Sequence, residues 1–188
     1  MIKKQMRTIA WRFIWCFALG MLGAAVASAS ELSDALKRTD HVLLIRHALA
    51  PGFGDPSGYN LQDCKTQRNL DGNGREQAQR IGKWLKDQGV KQAFVYSSAW
   101  CRCKETVQLL GIGQWQTFSG LNSFFQNYAD KTKTLRELEF KLKSKDGGMM
   151  FLVTHQVVIR AATGASVASG ELVAFNSVSQ QKKIFRLD

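Results

Sequence analysis

Seven residues, His41-Val42-Leu43-Leu44-Ile45-Arg46-His47, carry the clearest structural signal in the chain. They form a short apolar run that ends at a basic pair, which is typical of a strand buried on both faces of a sheet. A second such run, Met149-Met150-Phe151-Leu152-Val153-Thr154, is followed directly by His155. The two runs predict a layered α/β domain in which both histidines follow the carboxyl ends of strands.

The rest of the chain alternates between helical and strand periodicity. Residues 71–88 are predicted as a helix with one apolar face, formed by Ala78, Ile81, Trp84 and Leu85. The other predicted elements are strands at 93–97, 115–118, 171–175 and 183–187 and helices at 102–110, 134–143 and 156–163. This order and the length of 188 residues predict one three-layer α/β/α sandwich with a largely parallel central sheet.

Residues 50–69 have no apolar period and contain three glycines and the chain's two prolines. They are predicted to form a long loop. Because long loops in compact domains are usually functional, this loop is a candidate part of a site.

The N-terminus resembles a secretory signal. Lys3, Lys4, Arg7 and Arg12 precede an apolar run at 13–26, and Ala27-Ser28-Ala29 supplies small residues for cleavage. The run of fourteen residues is short for an uncleaved anchor, since a membrane-spanning helix needs about 20 apolar residues. We therefore expect a signal peptide at 1–29 and a periplasmic or secreted domain at 30–188, with no membrane anchor after cleavage.

The net charge of +11 partly belongs to this leader, and without it the charge is +7. The remaining basic residues are spread thinly and show no nucleic-acid-binding motif, so a nucleic-acid partner is not expected.

Three cysteines follow the predicted leader, namely Cys64, Cys101 and Cys103. An oxidising compartment favours one disulfide, from Cys64 to either Cys101 or Cys103. The alternative is three buried thiols. Their spacing does not suit a metal site.

Polar residues gather at one predicted edge of the sheet. Arg46 and His47 end the first strand, His155 follows a later one, and Arg102 follows the strand at 93–97. Two arginines and two histidines at one edge indicate an anion site.

At these residues the chain resembles the histidine phosphatase superfamily, the phosphoglycerate-mutase-like group, over residues 41–176. Four ordered motifs carry the resemblance: Arg46-His47, Leu70-Asp71-x-x-Gly74-x-x-Gln77-Ala78, Ser97-Ser98-x-x-x-Arg102-x-x-Glu105-Thr106 and Val153-Thr154-His155. The resemblance implies that His47 is the nucleophile and forms a phosphohistidine. It also implies that Arg46, Arg102 and His155 bind the phosphoryl oxygens, with no metal or other cofactor required.

The chain departs from the family at the proton donor. Many relatives have an acidic residue directly after the second histidine or in a segment after the second arginine, whereas this chain has Gln156 and Leu121-Asn122-Ser123-Phe124-Phe125. A leaving alkoxide needs a proton. The candidate donors are Asp55, Asp63 and Glu171, with Asp55 ranked first. Arg68 and Asn69, and Glu171 if it is not the donor, are candidate substrate contacts.

The sequence therefore predicts an exported phosphatase for a small phosphorylated substrate, such as a phosphosugar of the cell envelope. The missing acid keeps a second hypothesis open, a phosphate-binding member of the same fold with weak or no turnover.

Overall fold

The computed structural model describes residues 29–144 and 148–187. The strands found there are β1 (Val42–Arg46), β2 (Phe94–Ser97), β3 (Trp115–Thr117), β4 (Met150–Thr154), β5 (Leu172–Phe175) and β6 (Lys182–Phe185). They form one sheet in the order β3-β2-β4-β1-β5-β6. Parallel pairing joins β3, β2, β4 and β1, while β5 and β6 are added by antiparallel pairing. The prediction of a largely parallel sheet is confirmed.

Helices cover both faces of this sheet. They are α1 (Ala29–Leu36), α2 (Gly72–Asp87), α3 (Cys101–Leu110), α4 (Lys131–Lys143) and α5 (Gln156–Thr163). Apolar residues of α1, α2 and α3 share one buried cluster, and those of α4 and α5 share the other. The three-layer arrangement is thus also confirmed, although α1 was not predicted.

Burial on both faces explains the continuous apolar run of β1. Leu43 and Ile45 pack in the cluster with α1, α2 and α3, whereas Val42 and Leu44 pack in the cluster with α4 and α5. Because successive side chains point to opposite faces of a sheet, a strand covered on both sides needs apolar residues at every position.

The predicted signal peptide lies outside the described residues except for Ala29, the first residue of α1. In the ranges that the structure describes, no helix has both the length and the hydrophobicity to cross a membrane.

The strand order places the candidate residues together. The central strands β2, β4 and β1 are neighbours and run parallel, with Arg46 of β1 opposite Thr154 of β4. The residues that follow these three strands therefore emerge side by side at one edge, as expected for a ligand site in an α/β sheet.

Candidate active site

His47 and His155 meet where β1 and β4 end. Their ring centroids are 5.4 Å apart, and both residues are buried. The backbone N–H of His47 donates to the carbonyl of Thr154 at 2.9 Å, which fixes the two strand ends against each other. The predicted meeting of the two histidines is therefore observed.

The hydrogen bonds of His47 determine which ring nitrogen carries its proton. Nδ1 lies 2.8 Å from the carbonyl oxygen of Ala48, and a carbonyl can only accept, so Nδ1 is protonated. Burial lowers the pKa of His47 well below its ordinary value, and the positive charge of Arg102 lowers it further. The ring is therefore neutral at pH 7, and Nε2 keeps a lone pair.

His155 is oriented by two residues of the segment around the start of α3. Its Nε2 lies 2.8 Å from Ser98 Oγ and 3.5 Å from Cys103 Sγ. Burial raises the pKa of Cys103 to about 12, which keeps it a neutral thiol, and burial also lowers the pKa of His155. A neutral imidazole is thus held in place by a hydroxyl and a thiol.

Three arginines line the same cavity as the histidines, which has a volume of about 400 Å³. They are Arg46, Arg68 and Arg102. Burial lowers the pKa of the Arg46 and Arg68 guanidinium groups, with a further contribution from the charge of Arg102, but arginine remains protonated in proteins. The concentration of fixed positive charge suits an anionic ligand.

Two of these arginines are incompletely paired. Among the described side chains, the buried nitrogen atoms that lack a hydrogen-bond partner are Nε of Arg46 and Nε of Arg102. Unpaired buried donors are costly and are uncommon in folded proteins. Arg46 is the last residue of β1, and Arg102 follows β2. The unpaired Nε atoms of these two arginines indicate that this edge of the sheet binds a ligand.

Asp55 lies in the cavity wall as the partner of Arg102. Its fully buried carboxylate accepts from Arg102 Nη1 at 2.8 Å and Nη2 at 3.1 Å. Trp100 Nε1 and the backbone N–H of Arg68 also donate to it, each at 3.0 Å. Burial alone would raise the pKa of Asp55, but the hydrogen bonds and charge of Arg102 outweigh burial and lower it.

The predicted role of Asp55 as a proton donor does not fit this geometry. Its carboxylate is ionised and takes part in four hydrogen bonds as acceptor, so it holds no proton to give at neutral pH. The contacts of Asp55 instead hold the Arg102 guanidinium in place.

Comparison of the whole sequence with known families is consistent with the anion site that these histidines and arginines form. The family model described as the histidine phosphatase superfamily (branch 1) matches residues 42–137, about half of the chain. The chain belongs to the histidine phosphatase superfamily. No curated protein matches its sequence.

Solved structures of other histidine phosphatases and related proteins share the fold. One is the protein histidine phosphatase SixA in complex with tungstate, with a TM-score of 0.54 and 16% identity; the match covers 77% of this chain and 93% of that one. Another is an Escherichia coli K-12 protein assigned as an alpha-ribazole-5'-P phosphatase, with a TM-score of 0.55, 16% identity, and coverage of 79% and 95%. A third is a phosphoserine phosphatase of Entamoeba histolytica in complex with 3-phosphoglyceric acid, with a TM-score of 0.55, 14% identity, and coverage of 77% and 94%. At these identities the likeness shows the fold.

Two further residues that the sequence predicted as substrate contacts hold loops together instead. Asn69 Nδ2 donates to the carbonyls of Cys64 at 2.6 Å and Gln67 at 3.1 Å. Glu171 pairs with Arg186 and accepts from the backbone N–H of Ala168 at 2.8 Å. Neither is among the described residues that line the cavity. Asp63, the remaining candidate donor, caps a short 3-10 helix through the backbone N–H of Lys65.

The positions where relatives carry an acid line the cavity with neutral groups. Gln156 follows His155, and its Oε1 accepts from the backbone N–H of Val167 at 3.0 Å. Ser123 lies in the other segment and is buried. An amide and a hydroxyl are poor proton donors to a leaving group, so the departure predicted from the sequence persists in the structure.

A disulfide joins the loop at residues 50–69 to α3. Cys64 bonds to Cys101, and Cys103 is a free buried thiol. Beside the disulfide, the backbone N–H of Cys101 donates to Gln67 Oε1 at 2.9 Å. The prediction of one disulfide is confirmed, with Cys101 as the partner, and the alternative of three free thiols is wrong.

Sequence reasoning missed the apolar part of the cavity wall. Phe53 and Phe125 line it together with Leu49 and Val157. The signal that could have revealed Phe53 is its position between two glycines, in Gly52-Phe53-Gly54, because a large apolar residue in a glycine-rich loop has no core to join.

Proposed function

We propose that this protein is a phosphatase that hydrolyses phosphomonoesters through a phosphohistidine at His47. The observation that carries the proposal is the neutral imidazole of His47, with its Nε2 lone pair, in a cavity lined by three guanidinium groups.

Two displacements at phosphorus make up the reaction. In the first, the lone pair of Nε2 forms a bond to phosphorus while the bond to the leaving oxygen breaks and that oxygen takes the electron pair. In the second, a water oxygen attacks phosphorus, the P–N bond breaks, and the electrons return to Nε2. The proton that the attacking water loses passes to bulk solvent, inorganic phosphate leaves, and His47 is regenerated with its proton still on Nδ1.

The fixed charges of the cavity match a phosphoryl group. The guanidinium groups of Arg46, Arg68 and Arg102 and the carboxylate of Asp55 together carry a net charge of +2. A phosphate monoester carries about −1.5 to −2 at pH 7. Guanidinium groups fixed before the substrate arrives stabilise the equatorial oxygens through the transition state without reorganising.

We further propose that the protein acts outside the cytoplasm. The N-terminal pattern of basic, apolar and small residues supports export, and the Cys64–Cys101 disulfide suits an oxidising compartment. A phosphosugar of the cell envelope remains a prediction. Its alkoxide would need a proton, for which the lining residues that the structure describes offer no carboxylic acid besides the ion-paired Asp55.

A nucleophile test separates catalysis from binding. We expect the purified protein to hydrolyse 4-nitrophenyl phosphate and to show an acid-labile phosphoryl adduct on His47 after rapid quenching. His47→Ala should abolish both, while His41→Gln, at the opposite end of β1, should keep both. An active His47→Ala variant without an adduct would refute the mechanism. Phosphate binding without turnover in the wild-type protein would favour the alternative, a binding protein.

A further inference from the structure

The cavity wall includes an aromatic pair, of which Phe53 is exposed and Phe125 is half-buried. Phe53 and Phe125 pack edge to face, with ring centroids 5.0 Å apart and an interplanar angle of 89°. Phe53 is 83% exposed, which is unusual for a side chain that lines a cavity. Large apolar side chains held in solvent at a site commonly serve as contact surface for a ligand.

Phe53 stands at the tip of a pinned arch, residues 51–54. Gly52 and Gly54 have φ values of +94° and +68°, so the backbone turns on either side of Phe53. The Arg68 guanidinium bridges the base of the arch. Its Nε donates to the carbonyl of Gly54 at 2.8 Å, and its Nη1 donates to the carbonyl of Ala50. The exposed ring is therefore presented by an anchored segment and by a residue that also lines the phosphate site.

Phe125 is held in place at a backbone cost. Gln126, the residue after it, has a φ of 50°, which most non-glycine residues adopt at a cost of about 1 kcal/mol or more, while Asn127, with a φ of 62°, is of a type that tolerates this region better. Tyr128 packs against Phe125 at 6.4 Å between centroids and accepts a hydrogen bond from the backbone N–H of Asp55 at 3.1 Å. Strain of this kind persists where the surrounding contacts require one position of a side chain.

We propose that Phe53 and Phe125 form the leaving-group subsite and that the substrates are phosphoryl compounds of an aromatic ring, such as aryl phosphates. The proposal rests on the proposed function, since it concerns the group that His47 displaces. An aromatic ring inserted beside Phe53 would complete an aromatic cluster and cover its exposed face.

The lack of a free proton donor points to the same class of substrate. When the P–O bond of an aryl phosphate breaks, the phenol oxygen keeps the electron pair as a phenolate. Because the pKa of a phenol is only about 10, a phenolate is a weak base and can leave without being protonated. An alkoxide is a far stronger base, close to hydroxide, and therefore leaves much less readily unless it receives a proton. Among the described residues that line the cavity, the only carboxyl group is Asp55, and Arg102 holds it ionised. An aromatic leaving group removes the need for the missing acid.

Binding of two phosphonates tests the subsite independently of turnover. Phenylphosphonate and methylphosphonate share the anionic head and differ in the ring, so calorimetry on the purified protein isolates the ring's contribution. We expect phenylphosphonate to bind about tenfold more tightly. Phe53→Ala should remove this preference and leave the Kd of methylphosphonate within about twofold, whereas Phe53→Trp should retain the preference.

The matched control is Phe140→Ala, because Phe140 is 73% exposed on α4 and is not among the lining residues. It should keep the phenyl preference. Equal affinity of the wild-type protein for both phosphonates would overturn the subsite, as would an equal loss of both affinities in Phe53→Ala. Preferred binding of phenylphosphonate without hydrolysis of phenyl phosphate would instead contradict the proposed function and leave the subsite standing.

Discussion

At the scale of single residues, the pairing of Asp55 with Arg102 has the largest consequence for the chemistry. The side chains of Asp55 and Arg102 are 0% and 3% exposed, so the two charges depend on each other. Breaking a buried pair by removing one partner strands the other charge, at a typical cost of about 3–5 kcal/mol. In the proposed reaction Asp55 therefore acts through Arg102, as a positioning residue.

Asp55→Asn should lower kcat/KM for 4-nitrophenyl phosphate by about 10²-fold, because Arg102 loses the partner that aims it at the phosphoryl group. The free energy of unfolding should fall by about 3–5 kcal/mol in urea titrations. Asp87→Asn is the control, since Asp87 forms only a solvent-exposed pair with Lys83 among its described ion pairs.

A pH–rate profile separates the positioning role from proton donation. If Asp55 donated the proton, activity would fall as the pH rose through its pKa, and Asp55→Asn would remove that fall. Because Arg102 lowers the pKa of Asp55, the carboxylate is already ionised throughout pH 5–8. We expect the pH–rate profiles of the wild-type protein and Asp55→Asn to have the same shape and to differ only in the rate at each pH. If the variant lost a decrease in rate at high pH that the wild-type protein shows, Asp55 would be the proton donor after all.

At the scale of elements, the Cys64–Cys101 disulfide joins the loop that carries Asp55 and Arg68 to the first turn of α3. The sequence separation of 37 residues corresponds to about 4 kcal/mol in the chain-entropy description. The double variant Cys64→Ser/Cys101→Ser should lose about that much unfolding free energy in denaturant titrations. Cys103→Ala should keep the disulfide and its sensitivity to reductant, and an unchanged midpoint on reduction of the wild-type protein would contradict this account.

Gly74, near the start of α2, allows this helix to pack closely against the backbone of Leu49, two residues after His47. A Cβ on Gly74 would lie 2.0 Å from the carbonyl oxygen of Leu49, so Gly74→Ala must displace the backbone that follows His47. We expect a loss of about 1–3 kcal/mol in unfolding free energy and a fall in turnover. Gly72→Ala is the matched control, since its Cβ would meet nothing within 4 Å in the same helical turn. It should be neutral or stabilising by up to about 1 kcal/mol.

The sequence predicts elements well where burial imposes a pattern. β1 and β4 are covered on both faces, so their apolar runs mark them clearly, and parallel neighbours bring His47 and His155 together. The partner of Asp55 was not predictable in the same way. Asp55 and Arg102 are 47 positions apart, and their meeting depends on the path of a loop with no periodicity. Phe53 escaped notice for the same reason.

At the scale of the whole molecule, the two buried histidines make stability depend on pH. Burial lowers the pKa of both His47 and His155 below the ordinary value of about 6.5. Below pH 6.5 the unfolded chain binds protons that the folded protein refuses, so stability falls as the pH decreases. The expected slope is up to about 1.4 kcal/mol per pH unit for each histidine.

Urea titrations at pH 7.5, 6.5 and 5.5 measure this slope. Between pH 6.5 and 5.5, His47→Gln should show about half of the wild-type decrease, because one of the two histidines no longer titrates. A wild-type unfolding free energy that stays constant over this interval would show that the buried rings are protonated without penalty.

The arch at residues 51–54 can change in sequence independently of the proposed reaction centre, because different contacts hold the two. Both of its ends are held by one side chain, Arg68, whereas His47, the proposed nucleophile, directly follows β1 and is held by the carbonyls of Thr154 and Ala48. Substitutions at Phe53 can therefore accumulate while the reaction centre stays as it is, provided that Gly52 and Gly54 keep the turns on either side of it. A lineage could acquire new substrates by drift within four residues, and a protein engineer could graft foreign tips at the same place.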